Sequence, residues 1–259
     1  MTKRSWLTHS RTAAVLLPLV GLVLALGLWW LATIVFSIEA YLLPNPGDVV
    51  TAVLAQPGYL LEHTWVSLVE TVEGFVLSIV IGVPVALLIV RSVIVERLLY
   101  PLLLAVNAIP KVAIAPLLVV WFGFGQAPKV LMVLLVAFFP VVISTASGMK
   151  STPVELVELL KSLNATRTQE FFKLRLRYAM PQIFTGLKVA ISLAVIGSVI
   201  AEFVGATSGL GYVITQSGAN ADTALAFAAM TLLSIVAIVL FYLLVLLEHL
   251  LLPWARETR

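Results

Sequence analysis

Six long apolar runs dominate the chain, at about residues 14–36, 66–90, 99–121, 130–148, 183–204 and 225–251. Each approaches or exceeds the roughly 20 residues that a helix needs to cross a bilayer. The pattern predicts an all-α integral membrane chain with six spans, forming a single domain over residues 1–259. Within the second run, Glu70 and Glu73 come early, so its apolar part is expected to begin near Gly74. The third run is interrupted by Pro101, Asn107, Pro110, Lys111 and Pro116. The sixth is long enough to tilt.

The segments between the runs carry their own signals. In "LLPNPGDVV", Pro44 and Pro46 break any helix and Gly47-Asp48 favour a turn. From there to about Gly74 the pattern suggests a short surface helix with Glu62, His63, Glu70 and Glu73. Residues 149–182 form a charged interruption of a different kind. Thr152-Pro153-Val154-Glu155 reads as a capping box with proline in the first turn. Leu156, Leu159, Leu160 and Leu163 follow helical spacing, and Asn164 is suited to the left-handed residue that ends a helix. Thr166-Arg167-Thr168-Gln169 is a second capping box, followed by an apolar stripe of Phe172, Leu176 and Ala179. Pro181 is expected to end that helix before span five. Two short amphipathic helices with a tight turn result. Their apolar faces are too large for a free solvated loop and need a partner.

Composition agrees with a membrane chain. Hydrophobic residues make up 61% and charged ones 11%, and mean hydropathy is +1.09. Soluble domains carry about 25% charged residues. With no cysteine, disulfides and thiolate zinc sites are excluded. The basic start (Lys3, Arg4, Arg11) superficially resembles a signal peptide, but the apolar run is too long and lacks a small-residue cleavage site, so it is read as a retained span. Lys and Arg then set orientation. With the N-terminus inside, 13 of the 16 basic residues fall in segments 1–13, 91–97, 149–182 and 253–259, and Lys129 alone falls outside. Both termini and the 149–182 loop are therefore assigned to the cytoplasm. The small net charge of +3 reflects these loops and not nucleic-acid binding.

"ELLKSLNATRTQEFFKLRLRYAMPQIFTGLKVA" resembles the EAA loop of importer permeases of the ATP-binding-cassette (ABC) class. Glu158 matches the motif glutamate, Asn164 its glycine, and Leu174 and Leu176 its hydrophobic positions. Leu159 and Leu160 replace the two alanines, and Arg177 replaces a proline, which would leave the second helix unbroken. "LLPNPGDVVTAVL", "NAIPKVAIAPLLVVWFGFGQAPKV" and "AEFVGATSGLGYVI" are similar, in order, to segments of the nitrate/sulfonate/taurine permease branch, which includes pyrimidine-precursor and riboflavin permeases. The likeness covers about residues 40–215. It implies a type I importer permease (MetI-like) in a bacterial inner membrane. It also implies a second, identical permease subunit, two cytoplasmic ATPase subunits that bind ATP and Mg, and a periplasmic or lipid-anchored solute-binding protein. On this resemblance Glu158, Leu159, Leu160, Leu163, Asn164, Ala165, Arg167 and Glu170 couple to the ATPase.

Other polar residues are candidates for the translocation path. Lys111 lies about 18 Å into a core of ~30 Å if span three is straight. A lone lysine there costs about 3 kcal/mol. It either lines a polar cavity, lies on broken backbone between Pro110 and Pro116, or snorkels to an interface for folding reasons. Glu202, at the outer end of span five, is either a solute contact or an interface carboxylate. Asn107, Ser192 and Ser198 are read as interhelical hydrogen-bonding groups, with Asn107 and Ser198 also path candidates. The glycines of "GATSGLG" are read as turn residues, and "GFGQAPK" has the wrong spacing for a phosphate loop, so no nucleotide site is expected. His9, His63 and His249 are scattered, giving no metal cluster, and no Ser/His/Asp set shares one side of the membrane, so no catalytic site is expected. A self-sufficient carrier or channel driven by an ion gradient is the alternative; Lys111 and Glu202 favour it, and the lack of an inverted repeat opposes it.

Overall fold

The computed structural model describes residues 11–256; Lys3, Arg4, His9 and Arg259 lie outside them. Among the described residues the fold is entirely helical. Five of the described helices are long and apolar enough to cross a membrane, and a bent pair makes a sixth candidate span. In order they are α1 (Arg11–Val35), α2 (Pro46–Ala55), α3 (Pro57–Arg91), α4 (Val93–Ala108), α5 (Lys111–Phe122), α6 (Gln126–Lys150), α7 (Val154–Ser162), α8 (Arg167–Gln169), α9 (Leu176–Glu202), α10 (Leu210–Ala219) and α11 (Thr223–Leu251).

The centre of the bundle is α6 against α9, with α3 packed against both. Met132, Val133, Ala137, Val142, Ala190 and Ala194 are sealed there. Lipid offers no hydrophobic drive for helices to associate, so close backbone approach has to supply the contact energy. Two glycines provide it. A Cβ on Gly186 would overlap the Ser144 side chain, and one on Gly74 would overlap Val133. In contrast, α1 and much of α11 present Leu, Val and Ile outward, as lipid-facing helices do.

Several expectations are corrected. α3 is one continuous helix of 35 residues from Pro57, not a surface helix followed by a span starting near Gly74. "NPGD" begins a helix and does not form a free turn: Asn45 and Asp48 make a reciprocal capping box with Pro46 in the first turn of α2. The third run breaks at Pro110, with α4 and α5 meeting at 92° and Pro101 and Pro116 inside the two helices. Thr152 caps nothing. Pro153 occupies the N-cap of α7, and the Thr152 hydroxyl donates back to the Met149 carbonyl. Pro181 does not end a helix. From Arg167 the chain runs on to Glu202 as a single helix of 36 residues, through a π-helical turn at Glu170–Arg175.

Two predictions follow from this packing. Gly186→Val should drive a branched side chain into Ser144 and cost about 1–3 kcal/mol. A detergent melting curve should show the drop, and pairing it with Ser144→Gly should recover part of it. Lys111→Met should lower the melting temperature as well, because the Lys111 ammonium donates to the Val106, Asn107 and Ile109 carbonyls at 3.0, 2.6 and 3.2 Å and so closes the broken end of α4. An unchanged Lys111→Met melt would remove that role.

Candidate functional site

At the end of the bundle where α5 meets α6 and α9 meets α10, α3, α6 and α9 bury a cluster of polar side chains. By the sequence expectation from the Lys and Arg bias this is the outer end. Glu202 is the last residue of α9 and only 1% exposed. Its carboxylate accepts from the Ser67 hydroxyl at 2.6 Å and from the Gly211 N–H. Ser67 in turn accepts from the Leu210 N–H at 2.7 Å, and His63 Nδ1 accepts from the Gly209 N–H at 2.9 Å. Three backbone donors at the start of α10 are thus capped by side chains from other helices, and the carboxylate faces the positive end of the helix dipole. The turn that makes this possible is "GATSGLG". Gly205 and Gly209 hold φ of +73° and +108°, and a Cβ on Gly209 would fall on the Glu202 carboxylate.

Beside it lies a buried ion pair. Lys129 from α6 meets Glu70 from α3 at 2.6 Å, and its ammonium also reaches the Ser208 carbonyl at 3.3 Å. Thr71 donates to Ser198 at 3.0 Å, tying α3 to α9 one turn deeper. Glu70 Oε2 is buried and has no hydrogen-bond partner. Next to the pair is a cavity of about 500 Å³, whose walls include Glu70, Lys129, Trp65, Phe124, Gln126 and Ser208. Gln126 is held by Glu73 at 2.6 Å.

At the opposite end, α7 follows α6 in the chain and packs against the π-turn at Glu170–Arg175. Val157 is buried, while Leu159 and Leu163 are 54% and 68% exposed. Glu158 is exposed too. Asn164 adopts φ +56°, the left-handed conformation, and ends the helix. Thr166 and Gln169 form the expected capping box. Across the π-turn, Glu170 pairs with Arg175 at 2.7 Å. Arg177, which replaces the motif proline, continues the helix and lies 5.8 Å over the Trp254 ring, joining this segment to the C-terminal turn.

Residues 74–257 match the family described as the binding-protein-dependent transport system inner membrane component. The chain belongs to this family. It is the membrane permease component of an ABC importer, a multi-pass protein whose part in the cycle is transport. The chain is 37% identical over 220 residues to the formylaminopyrimidine transport permease ThiX of Halalkalibacterium halodurans, covering 85% of this chain and 88% of that one. It is 34% identical to the riboflavin permease RibX of Chloroflexus aurantiacus, over 91% and 88% of the two chains. The fold matches a chain of the inward-facing MetNI methionine ABC transporter with a TM-score of 0.64 and 20% identity, covering 77% of this chain and 97% of that one. Membership removes the ground for a self-sufficient ion-driven carrier.

The permease fold places the candidate residues unevenly. The coupling candidates fall on α7, its Asn164 turn and the first turns of the next helix. The path candidates do not converge. Asn107 and Lys111 sit at the α4–α5 bend, with Lys111 on broken backbone as one of the alternatives held. Ser198 bridges α3 and α9, whereas Ser192 only bonds back to Lys188 in its own helix and Asn107 bonds with Lys111. Glu202 contacts its own chain and is withdrawn from solvent. Glu70, Ser67, His63 and Lys129 were missed as a site. The available signal was a lone outer lysine at the head of one span and an acid early in another.

Removing one partner of the pair tests the cluster. Lys129→Met should leave Glu70 as an uncompensated buried charge and cost about 3–5 kcal/mol. The double variant Glu70→Leu/Lys129→Met should melt much closer to wild type. A single variant as stable as the parent would show that the pair contributes nothing.

Proposed function

We propose that the chain forms half of a translocation path in a bacterial inner membrane, pairing with a second identical copy. Two cytoplasmic ATPase subunits bind ATP and Mg and dock on residues 149–182, and a solute-binding protein delivers cargo at the outer end. The N- and C-termini lie in the cytoplasm. The cargo is a small organic or oxyanionic solute of the pyrimidine-precursor, riboflavin, sulfonate, taurine or nitrate type. The named relatives support the first two of these.

One observation carries the coupling role. α7 is a nine-residue amphipathic helix with Leu156 and Leu159 exposed, yet the turn that follows it is built: a left-handed Asn164 closes α7 and a complete capping box opens the next helix. A loop that served only membrane topology needs no such order. An exposed apolar helix face flanked by Glu158 and Arg167 suits a groove on a soluble partner. Leu160, Ala165 and Glu170 are half-buried and support that face from beneath. Because the helix starting at Arg167 runs on through its π-turn to Glu202, movement of the docked segment has a single helical element along which to reach the outer cluster.

Tagged protein purified from native membranes should bring down an ATPase. Leu159→Asp and Glu158→Lys should each cut its recovery at least tenfold while the permease stays inserted at wild-type level. Full recovery and full uptake by both variants would sink the coupling role of α7.

A further inference from the structure

We infer that Glu70 and Glu202 hold one proton between them, in an acid–carboxylate hydrogen bond that ties α3 to α9. The site serves the chain itself and stands whatever the cargo.

The donors argue first. Glu70 and Glu202 are both buried, and their carboxyl groups lie within hydrogen-bond reach of each other. The neighbouring donors are committed. Ser67 donates to Glu202 Oε1 and the Gly211 N–H to Glu202 Oε2. The Thr71 hydroxyl is shared by the Ser67 carbonyl and Ser198, and the Ser198 hydroxyl donates to the Val195 carbonyl. Lys129 is taken up by Glu70 Oε1 and the Ser208 carbonyl. Glu70 Oε2 is left over, sealed from solvent and without a donor. A buried acceptor left unmet is costly, and two ionised carboxylates cannot bond to each other because neither has a hydrogen to give. One shared proton supplies the missing donor and removes one of the two like charges.

The surrounding charges point the same way. From α6 comes Lys129, the one ammonium in the cluster. From α3 come Glu62 and Glu73, which add negative charge, and His63. His63 Nδ1 accepts from the Gly209 N–H, so it bears no proton there, and Tyr59 and Tyr212 pack on its ring. α10 contributes backbone N–H groups and the Tyr212 phenol. Asp222 caps α11 at the Leu225 N–H, and Lys111 is bonded to the α4 carbonyls at the far end of α5. Two buried carboxylates against one ammonium leave one negative charge, and a single proton brings the buried group to neutrality. The two acids titrate as a unit, so the proton belongs to the pair and not to either residue.

The test uses the full-length chain in lipid nanodiscs, followed by infrared spectroscopy near neutral pH. The expected spectrum contains the C=O stretch of a protonated carboxyl group, which shifts after equilibration in heavy water and disappears reversibly as the pH is raised. Glu70→Gln and Glu202→Gln should each abolish that band, because either amide supplies its own N–H donor and leaves a single carboxylate to balance Lys129. If one variant fails to fold, the other and the wild-type spectrum still decide. Absence of the band from the wild-type chain, or a band that survives both substitutions, would overturn the assignment. A metal ion bridging two ionised carboxylates would give no such band and counts as the same negative result.

Discussion

A helix that ends inside a membrane protein leaves backbone donors that no water can reach, and the chain must answer them itself. The start of α10 is the clearest case. Its N–H groups are met by a carboxylate from α9, a hydroxyl from α3 and an imidazole from α3. Because these acceptors come from different helices, capping one short helix also fixes the spacing of two long ones. The Lys129–Glu70 pair then has a defined place to sit, and the cavity has walls. Loss of Glu202 would leave donors of the Gly211 and Ser67 kind stranded, at about 1–3 kcal/mol each.

The break between α4 and α5 answers the same constraint with opposite chemistry. There the orphans are carbonyls, and one ammonium meets three of them. A lysine that looks costly in a straight span becomes affordable once the span is bent at 92°. The penalty for an isolated charge and the penalty for unpaired carbonyls cancel each other.

How much of this was legible depends on the range of the interaction. Apolar runs and the Thr166–Gln169 box lie within a few neighbouring residues, and the cap forms where the pattern puts it. Asn164 is legible for the same reason: few residues tolerate a positive φ. Local signals fail where a distant contact competes. Thr152 is buried and donates to the Met149 carbonyl, while Pro153 takes the N-cap position of α7. Pro181 sits in the continuous helix because its own missing N–H is tolerated there, and its carbonyl accepts from the Thr185 hydroxyl. Glu70 and Lys129 are 59 residues apart, and nothing local marks them as partners. The outer site was therefore hidden although every residue in it was visible.

The helix from Arg167 to Glu202 has a mechanical consequence. Its 36 residues make a rod of about 54 Å. Such a rod works as a lever: a tilt of about 5° about one end carries the other end roughly 5 Å, more than the width of a hydrogen bond. Glu202 rides on the far tip. A small angular change at the docked end is therefore largest where Glu202 holds its bonds to Ser67 and Gly211.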